Sequence, residues 1–119
     1  MEHVSFISIE DVPPDLILSF AIWDIELDDI RSLILMRTPQ YEFIFDEAER
    51  GVQVSDEAWQ NDEGEMLKEI KFDGDTVTII TENHRFELDI RKVDAGEIEE
   101  AQNILKKMNF DNRFEITIV

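Results

Sequence analysis

The sequence predicts an α+β domain in which one main helix, at about residues 94–108, precedes the last of about seven strands. The strands are expected to form a twisted antiparallel sheet or a partial barrel. Residues 85–91 alternate charged and apolar side chains, which is the pattern of a strand with one buried face. Residues 76–81 are β-branched at every position, which favours a strand over a helix. Apolar residues at helical spacing then follow before a second alternating stretch.

The second half of the chain carries the clearest strand and turn signals. Residues 67–72 and 76–81 are separated by Gly74 and its two aspartate neighbours, and glycine tolerates the positive φ of a tight turn. Another turn at residues 83–84 leads into the alternating strand, so these three strands are expected to form an antiparallel meander. Residues 113–119 alternate again and predict the final strand.

The predicted helix has signals at both ends. Asp94 can cap the backbone amide three residues on, and Glu97 completes a capping box. Acidic residues follow the cap and two lysines come near the end, which suits the helix dipole. Asn109 is expected to stop the helix. The apolar residues at helical spacing are Ile98, Ala101, Leu105 and Met108, with Ile104 beside them.

The first half of the chain is less regular. Short apolar runs at residues 4–9, 16–23 and 32–37 predict strands between turn-prone or acidic stretches. The run at 16–23 is apolar on both faces, so a buried helix is the alternative there. Trp23, at the end of that run, is expected to lie in the core. Two further short strands are predicted at residues 41–45 and 52–54.

The composition limits where the protein works and what it binds. The chain has 119 residues without a repeat or linker, which predicts a single domain over residues 1–119. It carries 29 acidic against 11 basic residues, a formal charge of −18. Nucleic acids and anionic membranes require clustered Lys and Arg, so neither is an expected partner. There is no cysteine and no signal-peptide pattern, which favours a cytoplasmic location.

No motif in the chain indicates catalysis or a bound cofactor. The sequence lacks a glycine-rich phosphate loop, a nucleophile elbow and a zinc-binding His pair. We interpret His3 and His84 as exposed residues. Neither Gly64 nor Gly74 has acidic residues at the spacing of a calcium-binding loop. We therefore expect no catalytic residue, no metal site and no cofactor, and a protein that is not an enzyme.

The negative charge is concentrated in two segments. Residues 1–30 hold eight acidic and no basic residues, and residues 46–65 hold eight acidic residues against Arg50 alone. An even spread of charge would serve solubility equally well, whereas a concentrated patch attracts and orients a cationic protein partner. The predicted partner-binding residues are Asp24, Glu26, Asp28, Asp29, Asp46, Glu47, Glu49, Asp56, Glu57, Trp59, Asp62, Glu63 and Glu65.

Trp59 stands in the middle of a polar loop and has two interpretations. Tryptophan is enriched at interface hot spots, so Trp59 can supply an exposed anchor. The alternative is that it folds back and fills the core. Three functions remain open from the residues alone: an inhibitor of a cationic partner, an acidic adaptor or regulatory subunit of another protein, and, third, a hydrolase that uses carboxylates.

A small, acidic, cysteine-free sheet with a late helix resembles the immunity proteins of bacterial polymorphic toxin and contact-dependent growth inhibition systems. The segments that carry the resemblance are residues 49–55 and 95–114. The resemblance implies an inhibitor that binds the toxin domain encoded at its own locus, often a basic nuclease, and blocks its active site or substrate groove. The carboxylates of residues 24–29 and 46–65 would then occupy the positions of the substrate's phosphates.

Overall fold

Eight strands and one α-helix are present in the residues that the computed structural model describes, 1–59 and 64–119. Helix α1 spans Ala95–Met108 and precedes the last strand, as the sequence predicts. The strand count is eight rather than about seven. The strands are β1 Glu2–Val12, β2 Asp15–Asp24, β3 Asp29–Arg37, β4 Gln53–Asp56, β5 Glu65–Asp73, β6 Thr76–Thr81, β7 Arg85–Asp89 and β8 Glu115–Ile118.

The eight described strands belong to one sheet in the order β4-β3-β2-β1-β7-β6-β5-β8. Neighbours run antiparallel except that β1 beside β7 and β8 beside β5 are parallel. β4 also pairs with β5, through Gln53 opposite Met66 and Val54 opposite Glu65. This contact and that of β1 with β7 involve only the strand ends, so the sheet is not a clear barrel. The predicted sheet, mainly antiparallel with one main helix, is confirmed.

Residues 16–23 form a strand, β2, rather than a buried helix. Its large buried side chains recur at every second position, Leu16, Leu18, Phe20 and Ile22, and the small Ala21 is buried on the other face. Trp23 lies on the other face of the strand and pairs across it with His3 and Ile30. Its surface is 42% exposed. The expectation that Trp23 lies in the core is therefore wrong, because the alternation of the strand turns its side chain outward.

Residues 41–45 were predicted to form a strand but lie largely in a 3₁₀ helix, Pro39–Ile44, which a second one, Glu47–Glu49, follows. Pro39 suits the first turn because its fixed φ is helical and its missing N–H is not needed there. Glu42 turns inward and accepts hydrogen bonds from Nε and Nη2 of Arg37 at 2.9 to 3.2 Å. This buried contact over five residues holds the segment in a turn and excludes an extended chain.

Helix α1 begins and ends at polar residues that cap it. Asp94 Oδ1 accepts a hydrogen bond from the backbone N–H of Gly96 at 3.3 Å, so the predicted cap is confirmed although its partner is not Glu97. At the other end, the side chain of Asn109 exchanges hydrogen bonds with the backbone of Phe114, at 2.9 and 3.2 Å, and turns the chain toward β8. Between these caps the helix packs on β1 and β2 through Ala101, Ile104, Leu105 and Met108.

Strand β3 places two arginines on the face that lines the core. Arg31, Leu33, Leu35 and Arg37 alternate inward, and the two leucines are fully buried between the arginines. Arg31 donates to Glu2 at 2.6 and 2.9 Å and to Asp56 at 2.8 Å, and lies 3.8 Å from Asp24. We call these four residues the Arg31 cluster.

Arg37 is 1% exposed and joins three parts of the chain. Besides Glu42 it binds both oxygens of Asp111, at 2.7 and 2.9 Å, and the Met108 carbonyl at 2.6 Å, at the end of α1. The ring of Phe110 covers the guanidinium at 4.2 Å. Burial lowers the pKa of Arg37, but the hydrogen bonds to Asp111 and Glu42 outweigh burial and raise it above its usual value. Arg37, Glu42 and Asp111 form the Arg37 cluster.

Replacing Arg37 should destabilise the protein strongly. The variant Arg37→Met keeps an apolar side chain of similar length but leaves the buried carboxylate of Glu42 without its cation and Asp111 with Arg113 alone. We expect the free energy of unfolding, measured by urea denaturation at pH 7, to fall by about 3–5 kcal/mol.

The matched control is Arg85→Met, since Arg85 is exposed and pairs with Glu87 only at the surface, at 3.2 Å. This control should change the unfolding free energy by less than about 1 kcal/mol. A loss of similar size in both variants would contradict the assignment of Arg37 as the link between β3 and α1.

Candidate protein-binding site

The turn between β2 and β3 is held in a defined shape by its own aspartates. Oδ1 of Asp24 accepts hydrogen bonds from the backbone N–H groups of Glu26 and Leu27, at 3.0 and 3.3 Å. Asp28 has a φ of +49°, in the left-handed region, which aspartate tolerates better than most residues. Asp29 Oδ1 accepts from the N–H of Ile30 at 2.7 Å. We call residues 23–30 the hairpin tip.

Large apolar side chains project from the hairpin tip into solvent. Ile25 is 82% exposed and Leu27 is 67% exposed, and both lie in the turn itself. Trp23 and Ile30 stand opposite each other at the strand ends and are also exposed. Single exposed apolar residues are common on protein surfaces, but several together mark an interaction site.

Three carboxylates lie between these apolar residues. Glu26, Asp28 and Asp29 are exposed, and within residues 1–59 and 64–119 none of them forms an ion pair. Arg31 is the cation nearest in sequence, and its guanidinium is already bound by the carboxylates of its own cluster. The hydrogen bond to Glu2, together with Asp56, raises the pKa of Arg31 above its usual value although burial opposes this. The hairpin tip is therefore both apolar and negatively charged.

A shallow cavity of about 330 Å³ adjoins the hairpin tip. Its wall includes His3, whose Nδ1 lies 3.1 Å from Asp89. Arg91 donates to both oxygens of Asp89, at 2.7 to 3.1 Å. These hydrogen bonds lower the pKa of Asp89 to about 2. The residues that line the cavity are Met1, Glu2, His3, Trp23, Asp24, Ile25 and Glu26.

The two acidic segments meet at one point of the structure. Asp24 from the first and Asp56 from the second both face Arg31, and Asp56 is buried. Because their carboxylates are engaged inside the protein, Asp24 and Asp56 contribute to the fold. Glu57 is exposed beside them and accepts a hydrogen bond from the N–H of Ser32 at 2.8 Å.

Two other predicted residues, Trp59 and Glu65, lie in a second cluster around His84. The ring of Trp59 is 4.7 Å from that of His84 and 6.2 Å from that of Phe86, and it packs against the core. Glu65 accepts hydrogen bonds from Thr81 at 2.6 Å and from the N–H of Asn83 at 3.0 Å, and lies 2.7 Å from His84 Nδ1. Burial raises the pKa of Glu65, but these hydrogen bonds together lower it. Of the two interpretations of Trp59, packing against the core is the one observed.

The remaining predicted residues lie elsewhere. Asp46, Glu47 and Glu49 are exposed near the opposite end of β3 from the hairpin tip, and Arg113 lies 3.7 Å from Glu47. Asp62 and Glu63 fall outside the described residues. A role in partner binding stays a prediction for all of these residues. The structure groups Glu26, Asp28 and Asp29 with the exposed apolar side chains of the hairpin tip. Glu49 lies instead beside the exposed rings of Tyr41 and Phe45.

The apolar part of the hairpin tip was missed by the sequence reasoning. Only the acidic residues of this segment are predicted to bind a partner, and Trp23 is expected in the core. The sequence does contain a signal, because four of the six residues 24–29 are acidic and the two aliphatic residues, Ile25 and Leu27, stand between them. The acidic residues are Asp24, Glu26, Asp28 and Asp29. A segment so rich in charge is typical of a turn, where apolar side chains have no sheet to cover them.

No protein-family model, no curated protein and no solved structure matches this chain. Within the described residues, no helix has the length and apolar character that crossing a membrane requires. Likewise, residues 1–59 and 64–119 contain no group of three or more Asp, Glu or His side chains arranged to hold a metal ion. The geometry of the hairpin tip is therefore the basis for a proposal about function.

The low pKa of Asp89 predicts a specific pH dependence of stability. Because its pKa is about 2 in the folded protein against an ordinary value of 3.8, the ionised carboxylate stabilises the fold fully above about pH 5. This contribution is lost as the pH falls through 2. We expect the difference in unfolding free energy between the wild type and Asp89→Asn to shrink as the pH falls from 4 to 2, measured by urea denaturation. A difference that stays constant down to pH 2 would contradict the assignment.

Proposed function

We propose that this protein is a non-catalytic inhibitor that binds a cationic protein partner through the hairpin tip, as an immunity protein binds the toxin of its own locus. The observation that carries the proposal is the grouping of Glu26, Asp28 and Asp29 with the exposed side chains of Ile25 and Leu27. We further propose that it acts in the cytoplasm, which the absence of cysteine supports.

The two kinds of side chain have different tasks in this proposal. The carboxylates attract the partner over a distance and accelerate association, an effect that salt weakens. Exposed ion pairs contribute little net affinity. The apolar side chains of the hairpin tip supply the affinity, because they move out of water into a pocket of the partner. In a nuclease partner, the carboxylates would take the positions of the substrate's phosphates and block access to the groove.

The local side-chain to backbone hydrogen bonds of the turn support this use of the hairpin tip. Asp24 and Asp29 bind backbone N–H groups of the turn, and Asp24 also lies in the Arg31 cluster. A turn that is already ordered before binding loses less conformational entropy when the complex forms. The hairpin tip thus presents its projecting side chains from a rigid base.

Site-specific photo-crosslinking tests the proposal directly. A photoreactive amino acid at Leu27 should capture one dominant partner in the host cell, and the same amino acid at Lys68, an exposed residue on β5, should not. We expect the captured protein to carry a basic surface and to lose its toxic or nuclease activity when this protein is added. Equal capture from both positions, or a partner without basic surface, would overturn the proposal.

Charge-neutralising variants should separate attraction from affinity. We expect Glu26→Gln, Asp28→Asn and Asp29→Asn together to lower the association rate constant with the captured partner about tenfold at low salt. The dissociation rate should change much less. The measurement is biolayer interferometry at several salt concentrations, where the variant should also lose most of the salt dependence.

The matched control neutralises Glu99, Glu100 and Glu115, three exposed carboxylates away from the hairpin tip. This control should retain the association rate and salt dependence of the wild type. If both triple variants slowed association equally, net charge alone would account for binding and the hairpin tip would not be the interface.

A further inference from the structure

A second recess lies at the far end of β3. Met36 lies seven positions after Asp29, the first residue of β3, which places the recess about 23 Å from the hairpin tip. This groove has a volume of about 980 Å³ and opens between the first 3₁₀ helix, β4 and the turn after β6. That volume is at the upper end of the range for ligand sites. The groove is therefore large enough to hold part of an extended peptide.

The walls of the groove combine aromatic and thioether groups. Tyr41 is 49% exposed and Phe45 is 45% exposed, and both line the groove with Met36 and Met66. Phe45 is fixed at the edge because Arg50 donates two hydrogen bonds to its carbonyl, at 3.1 and 3.3 Å. Aromatic faces attract cations, and a flat guanidinium stacks on them well.

The polar groups of the groove favour a cationic occupant. Arg37 and Glu42 lie at its base, where the Arg37 cluster already satisfies both. Glu49 and Glu82 are exposed on the lining, and within the part of the chain that the structure describes neither forms an ion pair. The net charge presented to an occupant is therefore negative.

We propose that this groove binds an arginine side chain carried by an extended peptide, with the guanidinium between the aromatic rings and the carboxylates of Glu49 and Glu82. Arginine fits better than lysine because its planar guanidinium stacks on a ring and donates to a carboxylate at the same time. This inference rests on the proposed function and deepens it. It names arginine as the side chain of the cationic partner that enters the groove. It places a second contact on the surface opposite the hairpin tip.

An arginine peptide tests the groove without the natural partner. The probe is an acetylated and amidated tetra-arginine peptide, and the control probe is the same peptide built from citrulline, which keeps the shape and removes the charge. In an NMR titration of the ¹⁵N-labelled protein, we expect tetra-arginine to shift the amide signals of Tyr41, Phe45 and Glu82. The citrulline peptide should produce no such shifts.

Variants of the groove connect these shifts to the proposed contacts. The double variant Glu49→Gln/Glu82→Gln and the single variant Tyr41→Leu should each raise the dissociation constant of tetra-arginine at least about fivefold. The control variant Glu99→Gln/Glu100→Gln, which removes the same charge from α1, should leave it unchanged. The amide spectrum of each variant shows whether it is folded before the titration begins.

The outcomes separate this inference from the proposed function. If tetra-arginine shifts signals evenly over all acidic surfaces, or if citrulline binds equally well, the groove is not an arginine site. Neutralising Glu26, Asp28 and Asp29 at the hairpin tip should leave peptide binding in the groove intact. If that variant lost tetra-arginine binding and Glu49→Gln/Glu82→Gln retained it, the groove would not be the arginine site. The result would still support the hairpin tip as a site for cationic partners.

Discussion

The buried guanidinium of Arg37 is the constraint on which the rest of the structure depends. A charge taken out of water costs several kcal/mol unless partners replace its hydration, and Arg37 finds those partners in two separate parts of the chain. Asp111 and the Met108 carbonyl fix the end of α1 to β3, and Glu42 fixes the segment after β3. Glu42 also accepts a hydrogen bond from the N–H of Gly51 at 3.2 Å, at the entry to β4. This one residue therefore links the end of the helix, the first 3₁₀ helix and the base of the groove.

Arg31 has the same role at the other end of the two core leucines. The two arginines thereby separate the acidic residues that they bind from those that remain exposed. Glu2, Asp24 and Asp56 bind Arg31, and Glu42 and Asp111 bind Arg37. These carboxylates are part of the fold, and the hydrogen bonds of Arg37 and Arg113 hold the pKa of Asp111 well below its usual range. The acidic residues outside such clusters carry the surplus of negative charge, and those at the hairpin tip and on the groove are among them. A cationic partner with an apolar pocket is the binder that this surplus favours.

Local patterns in the sequence predicted those elements whose causes are local. The β-branched residues 76–81 form β6 with those same bounds, and the cap at Asp94 begins α1 one residue later. The failures have non-local causes. Glu42 turns inward toward Arg37, only five positions away. The sequence contains no sign that Arg37 is buried, however, because the second carboxylate that binds it, Asp111, is 74 positions away. The prediction for Trp23 failed because a run that is apolar on both faces does not show which face of the strand lies against the core. For the site, the sequence singled out the acidic residues of segment 24–29 but neither the turn that they form nor its apolar side chains. The division into bound and exposed carboxylates depends on contacts across strands.

The most direct measurement compares two variants that remove the same charge from different groups. Asp56→Asn weakens the Arg31 cluster, and Asp28→Asn changes an exposed residue of the hairpin tip whose left-handed φ asparagine also tolerates. In urea denaturation at pH 7, we predict that Asp56→Asn lowers the free energy of unfolding by about 1–3 kcal/mol. Asp28→Asn should leave it within about 0.5 kcal/mol of the wild type. Equal losses in the two variants, or a larger loss in Asp28→Asn, would contradict the division of the carboxylates into those that hold the fold together and those that are available to a partner.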